Sequence, residues 1–366
     1  MSKVVDQETL SHVLAHYRCS IDNSTVSPLG NGLINSTYLV RNVNANFVLQ
    51  RINKNVFKQP KQVVENAELI NNHLLNKQQQ NHYSLTPIWQ VSTIEESAMV
   101  IDSHGEYWRA IQYIPNCFTV EEVATIEQAK QVATSFAQFT SALSDFSAVS
   151  LAETIPEFHN LSMRIAHLRA VIQANPEQRL SQCQELVDFC LSQQVFIDNV
   201  EHLIQQLPIQ VTHNDTKINN LLFCAKTNEP LAVIDLDTCM PGYLMHDFGD
   251  MVRTCCSNLP EDGTDLANMN VRFDIYAALA EGYTTAFGNK MSELEQQSLV
   301  IGAQLLPFMI GVRFLTDYLD GDNYFHINHE NHNLDRAKNQ LNLYRLLHEN
   351  KQKLNELTFS TSELSV

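Results

Sequence analysis

The sequence predicts an α+β chain of two lobes, a small antiparallel-sheet lobe followed by a larger, mainly helical one. Three observations carry the prediction. Strand-like alternation is confined to residues 33–114, and apolar residues recur at helical spacing from about residue 119 onward. A polar loop followed by an apolar strand pattern, residues 211–237, interrupts that helical part. Pro115-Asn116 closes the strand-rich part. The first lobe is therefore drawn over residues 1–115 and the second over 116–355, while the Ser- and Thr-rich residues 356–366 are expected to be a flexible tail.

In chain order, Leu10, Val13, Leu14 and Tyr17 mark one face of a helix over residues 6–18, with His12 and His16 on its solvated side. Gly30-Asn31-Gly32 then precedes a strand running to Val40, and Asn46-Phe47-Val48-Leu49-Gln50-Arg51 forms a second. Glycine in such a turn lets backbone N–H groups approach phosphate oxygens, although an ordinary hairpin explains a lone G-x-G about as well. A helix follows over residues 61–75, carrying Glu65 and Glu68, and further strands cover 98–101 and 107–114. Thr119-Val120-Glu121-Glu122 reads as a capping box that opens a helix to about residue 145. Two helices fill 160–206, broken near Asn175-Pro176. The rest is helical over 246–257, 266–286, from a cap at Ser292, and over 333–352.

The chemistry lies in Thr212-His213-Asn214-Asp215-Thr216-Lys217-Ile218-Asn219-Asn220, spaced H-x-D-x-x-x-x-N, and in Val233-Ile234-Asp235-Leu236-Asp237. Phosphoryl transfer asks a protein for a carboxylate facing the attacking hydroxyl and for oxygen ligands that hold magnesium on the phosphates. These segments contain that set. Singly, each residue reads as a turn cap or a strand end; the ordered set does not.

This pattern resembles the aminoglycoside and choline kinase superfamily. With Thr238-Cys239-Met240-Pro241-Gly242 and Asp247-Phe248-Gly249-Asp250 it is most similar to bacterial N-acetylhexosamine 1-kinases. The resemblance implies a two-lobed protein-kinase-like fold, ATP and Mg2+ as cofactors, Asp215 as the catalytic base, and Asn220 and Asp235 as metal ligands. It implies nucleotide binding by Gly30, Asn31, Gly32, Asn35 and Thr37, by the hinge residues Gln112 and Ile114, and by an Arg51–Glu65 pair in place of the usual strand lysine. Arg313 and Tyr324 carry over as sugar contacts, although Arg313 also stands one turn from Asp317. Asp237 is a further metal or substrate contact. His213 is expected to hold the loop, Asp247 and Arg253 to brace it, and Lys217 to reach a phosphate. The expected reaction is phosphorylation of the anomeric hydroxyl of an N-acetylhexosamine. The alternatives are a kinase for choline, homoserine or an aminoglycoside, or a nucleotide-binding pseudokinase suggested by the missing strand lysine.

A formal charge of −17 opposes binding to nucleic acid or an anionic membrane. No uninterrupted apolar run approaches the span of a bilayer, and the N-terminus lacks the apolar core of a signal peptide, so a cytoplasmic location is expected. Eight cysteines without C-x-x-C spacing indicate reduced, mostly buried thiols. His326, His329 and His332, at intervals of three, read as a solvated loop before a helix rather than a zinc site. The expected partner is a small molecule, an amino sugar, with the protein a monomer or homodimer.

Overall fold

The structure, a computed structural model, describes residues 5–30, 34–43 and 45–359. The chain divides into two compact units. The first comprises Met1–Phe118, Phe146–Pro156 and Leu222–Met240, and the second Thr119–Asp145, Glu157–Leu221 and Pro241–Val366. A cut at residue 115 falls beside the first crossing, but the chain returns to the first unit twice afterwards.

Strands are β1 (Ser24–Pro28), β2 (Ser36–Asn42), β3 (Asn46–Ile52), β4 (Gln90–Val91), β5 (Val100–Ile101), β6 (Tyr107–Gln112), β7 (Cys117–Phe118), β8 (Gln210–Thr212), β9 (Leu221–Cys224), β10 (Pro230–Val233) and β11 (Met240–Gly242). Helices are α1 (Gln7–Ala15), α2 (Pro60–Gln79), α3 (Ile126–Ala142), α4 (Leu161–Ala174), α5 (Gln184–Ser192), α6 (Gln194–Ile204), α7 (Leu244–Cys255), α8 (Phe273–Phe287), α9 (Glu293–Leu319), α10 (His332–Glu349) and α11 (Lys351–Phe359).

The first unit is built on an antiparallel sheet ordered β1-β2-β3-β6-β4, with β5 also paired to β6. Side chains alternate across such a sheet, so its register decides which residues share a face. One face presents Val40, Phe47, Leu49, Trp108 and Ala110, which close a core with Val13, Leu14 and Tyr17 around α1. The other presents Thr37, Gln50 and Arg109. Asn66 of α2 is buried; its amide donates to the carbonyls of Ala152 (2.8 Å) and Cys239 (3.1 Å) and accepts from the Ala152 N–H (3.0 Å). One side chain thereby satisfies backbone groups in both returning segments.

The second unit is organised on α9, whose Ser292 and Glu295 form the expected reciprocal capping box. Leu305, Phe308, Met309 and Val312 of this helix pack with residues of α4, α6 and α10. By length and composition α9 would be apolar enough to cross a membrane, yet 83% of its apolar window is buried. Gln296, Ser298 and Gln304 interrupt its apolar runs, which hides that length from a search for continuous ones. Gly249 of α7 and Gly302 of α9 meet backbone to backbone, since a Cβ at Gly249 would fall on the Gly302 carbonyl.

Several boundaries differ from expectation. The helix placed at Thr119 begins at Ile126. Residues 117–118 are paired to β9, and the working cap is Thr125, which accepts from Gln128 N (3.2 Å) while Gln128 Oε1 accepts from Ala124 N (2.9 Å). The region 160–206 holds three helices rather than two, and β1 lacked a sequence expectation. Residues 356–359 belong to α11 rather than to a tail, tied by the buried Thr358 hydroxyl, 2.9 Å from Tyr276 Oη. His332 is buried too, bonded to Asp262 (3.2 Å) and to the Asn328 N–H (3.1 Å), and not part of a solvated loop. The eight cysteines are thiols, six of them buried and Cys117 and Cys224 partly exposed.

Candidate active site

The H-x-D-x-x-x-x-N loop leaves β8 through Asn214, whose φ of 63° turns the chain sharply, and ends in a short 3-10 turn at Ile218–Asn220. Its anchor is Asp247 in the first turn of α7. That carboxylate accepts the N–H groups of His213 (3.0 Å) and Asn214 (2.7 Å), and the Asp247 carbonyl accepts the Thr216 hydroxyl (2.6 Å). A carboxylate at a helix N-terminus is favoured by the helix dipole. Burial nevertheless pushes the Asp247 pKa up to about 7, against the lowering effect of the two N–H donors. His213 is fully buried, edge-on to Phe136 and Phe139 (5.3 and 5.8 Å between centroids), and its Nδ1 accepts from the Asp215 N–H (3.3 Å).

Asp215 projects from this frame. Asn220 Nδ2 donates to its carboxylate (2.9 Å) and to its carbonyl (2.8 Å), and Lys217 Nζ lies 3.1 Å from Oδ1. Burial raises the Asp215 pKa, but Lys217, His213 and Asn220 outweigh it and hold the group below the ordinary carboxylate value. The side chain is thus ionised at neutral pH while a quarter of it stays exposed. Lys217 is engaged with Asp215 and is not a free cation. The Asn220 amide spends its N–H groups on Asp215, leaving an oxygen, a hard donor of the kind magnesium takes. Asp250 pairs with Arg253 (2.8 Å), which also binds Glu261, so Arg253 braces acidic side chains rather than the loop itself.

The first unit carries the other half of the motif. Asp235 is exposed and adopts φ 62°, an uncommon backbone conformation for a non-glycine residue, where β10 turns into a 3-10 helix. Asp237, two residues on, is buried with both oxygens engaged. Arg109 forms an ion pair with one, and Asn35 Nδ2 donates to the other (2.6 Å). Thr154 Oγ1 donates to the Asp237 carbonyl (2.7 Å), Asn35 Oδ1 accepts from Asn53 N (3.0 Å), and Gln50 Oε1 accepts from Arg109 (2.7 and 2.9 Å). Gln50 in turn donates to Thr37 (3.2 Å). Asp237 is thus a structural clamp, and Asn35 and Thr37 belong to its network.

The expected Arg51–Glu65 pair is not made. Register places Arg51 opposite Ser36 and Trp108, on the face covered by α1; it donates to Ser36 (3.1 Å) and sits 5.9 Å from the Trp108 ring. Glu65 faces Lys61 at 3.5 Å. The buried cation of the opposite face is Arg109 of β6, which the sequence reading missed. Its signal was a lone charge inside the apolar run Tyr107-Trp108-Arg109-Ala110-Ile111. Gly30 has φ 69°, no described residue within 4 Å of where a Cβ would stand, and an adjoining Leu29 N–H bonded to the Thr37 carbonyl (3.0 Å). Asn31 and Gly32 lie outside the described residues. At the hinge, Gln112 N donates to the Trp89 carbonyl (3.0 Å), and the Ile114 carbonyl accepts the Cys117 thiol (3.0 Å).

Arg313 and Tyr324 do come together, with Arg313 Nη2 3.4 Å from Tyr324 Oη. The guanidinium lies 5.2–5.5 Å from the rings of Phe158, Tyr324 and Phe325. Asp317, the alternative partner of Arg313, instead accepts the N–H groups of Tyr324 (2.8 Å) and Phe325 (2.9 Å), folding that loop against the helix.

Two neighbours on α7 give the protein opposing pH dependences. Asp247, with its pKa raised in the folded state, contributes stability that is lost as pH rises from about 4 to about 7. His246, pushed down to about 3 by burial, contributes stability that is lost as pH falls from about 6.5 toward 3. The two largely cancel between pH 4 and 6.5. Urea denaturation across that range is expected to show Asp247→Asn gaining stability with rising pH and His246→Phe losing it, each by at most about 1.4 kcal/mol per pH unit. Parallel slopes in the two variants would contradict the assignment.

An antiparallel-sheet unit followed by a helical unit, with a braced Asp215-Asn220 loop and Asp235 after the next strand, is the architecture of kinase-like phosphotransferases. The chain belongs to the phosphotransferase enzyme family APH, whose sequence pattern matches residues 25–294. A microcompartment-associated aminopropanol kinase shares the fold at 16% identity, with 95% of this chain and 98% of the other covered and a TM-score of 0.62. A choline kinase from Cryptosporidium parvum matches at 14% identity, 98% and 99% coverage and TM-score 0.58. A spectinomycin phosphotransferase solved with ADP and spectinomycin matches at 14% identity, 99% and 100% coverage and TM-score 0.53. At such identities the likeness is one of fold.

Proposed function

We propose that this phosphotransferase moves the γ-phosphoryl group of ATP to a hydroxyl of an uncharged small molecule, the anomeric hydroxyl of an N-acetylhexosamine. ADP in the spectinomycin enzyme supports the choice of nucleotide. The acceptor assignment is carried by Arg313, a guanidinium ringed by Phe158, Tyr324 and Phe325 in the unit that holds Asp215. An amino alcohol or an aminoglycoside brings an ammonium group that carboxylates receive, and choline a quaternary ammonium that aromatic faces receive, but the rings of Phe158, Tyr324 and Phe325 already face the Arg313 guanidinium. Around the loop Asp215 is engaged by Lys217 and Asp247 by two N–H groups, while Asp250 meets Arg253 through one oxygen and its other oxygen is buried without a partner among the described residues. Guanidinium and aromatic side chains suit hydroxyl and amide oxygens and the apolar face of a pyranose.

Asp215 would orient the acceptor hydroxyl and take its proton as the bond to phosphorus forms. Its depressed pKa keeps it ionised, and the relatively acidic anomeric hydroxyl lightens the task of a weak base. Asn220 of the second unit offers an amide oxygen and Asp235 of the first a carboxylate, each a hard donor of the kind that magnesium on phosphate oxygens takes. His213 and Asp247 keep the base in place.

An ADP-release assay tests this directly with N-acetylglucosamine, N-acetylgalactosamine, glucose, choline, 1-amino-2-propanol and kanamycin. Turnover concentrated in the two N-acetylated sugars is the expected result. Turnover confined to the three amines would overturn the acceptor while leaving the phosphotransferase.

A further inference from the structure

Beside the Arg313 cage lies a pair of histidines that the roles above do not use. The imidazoles of His159 and His246 are 4.7 Å apart between centroids. His159 adjoins Phe158 (4.4 Å), whose ring faces Arg313, and His246 adjoins Tyr243 (5.5 Å). His246 is only 4% exposed, and among the described residues neither of its ring nitrogens meets a hydrogen-bond partner. Among the described residues both His159 ring nitrogens are likewise buried without a bond of ordinary geometry, although the backbone of Asn214, the residue before Asp215, acts on the ring as a hydrogen-bonding group. Buried polar atoms are nearly always paired, so two adjoining rings whose nitrogens lack well-formed bonds call for an explanation.

Chemistry narrows what would pair with them. Burial keeps both rings neutral, and the charges of Arg313 and Arg164 oppose protonation of His159 further. A neutral imidazole offers one donor and one acceptor. A hydroxyl group matches both at once. An ammonium group would use only the acceptors and would face the two guanidiniums.

We propose that His159 and His246 form a hydrogen-bonding subsite that reads a hydroxyl or amide group of an uncharged acceptor next to Asp215, and so determine acceptor specificity. This rests on the sugar-kinase reading above. The competing explanation is a pair of ordered waters with a structural role only.

Steady-state kinetics of wild type, His159→Phe, His246→Phe and His246→Asn decide between them, using N-acetylglucosamine and its 3-, 4- and 6-deoxy analogues. The subsite predicts an acceptor KM raised about tenfold or more in each Phe variant with the KM for ATP unchanged. His246→Asn, which keeps an N–H donor, should recover part of the loss. The loss should also vanish for the deoxy analogue that lacks the group being read, a pattern that a structural water would not produce. Unchanged acceptor KM values in a wild-type background that phosphorylates the sugar would overturn the subsite and leave the function standing. Wild-type activity on amines alone would overturn both. If His246→Phe is misfolded by circular dichroism, His159, which is less deeply buried, decides the matter alone.

Discussion

Asp215→Asn is expected to cut kcat by about 10²–10⁴, the span that general-base assistance supplies, while ATP binding and the melting temperature stay near wild type. The structure explains why the effect should fall on turnover. The Asp215 carboxylate makes one hydrogen bond to Asn220 and one contact to Lys217, both toward the loop's own side chains, and a quarter of it is open. An amide of the same shape keeps a polar group there but has no basic oxygen to take the acceptor's proton. Single-turnover measurements with saturating ATP and acceptor separate the chemical step from binding. A variant within threefold of wild type would remove Asp215 from the role of base.

Arg109→Met is expected to have the largest effect on stability, about 3–5 kcal/mol, because it strands a buried carboxylate rather than merely deleting a contact. Asp237 is 1% exposed and Arg109 3%, so neither can turn to water when its partner is lost. Asp235 lies two residues away on the same turn, and activity should fall together with stability. Pairing the change with Asp237→Leu should restore much of the lost stability, since an apolar pair leaves no unmatched charge. Urea unfolding of the single and double variants measures both effects; a loss below about 1 kcal/mol in Arg109→Met would show that the pair is not a clamp.

The loop was legible because its chemistry is local. His213, Asp215 and Asn220 act within one turn of each other, and their spacing survives in the linear sequence. The cation of the first unit was not legible, for a reason of parity. Phe47-Val48-Leu49 is apolar at every position, so nothing in the strand says whether Gln50 or Arg51 faces the same side as Thr37. Only pairing with β2 and β6 settles it, and it turns Arg51 toward Trp108 and Gln50 toward Arg109. Asn66 was noticed only as a companion of Glu65, yet its amide ties two distant segments to α2 while Glu65 meets a neighbouring lysine. The false helix start at Thr119 has a similar origin. A capping signature states a local preference, and strand pairing at residues 117–118 overrules it.

The meeting of Gly249 with Gly302 bears on how such a site can change. Asp247, which suspends the loop of Asp215, lies half a turn from Gly249, and the height of that turn is gauged by main-chain atoms alone. Neighbouring side chains such as Tyr243 and His246 can then be exchanged without resetting the gauge, whereas even a methyl group at either glycine would lift the whole turn. The side chains around Tyr243 and His246 and the position of the Asp215 loop are in this way open to different kinds of change, the first to single replacements and the second only to movement of the backbone.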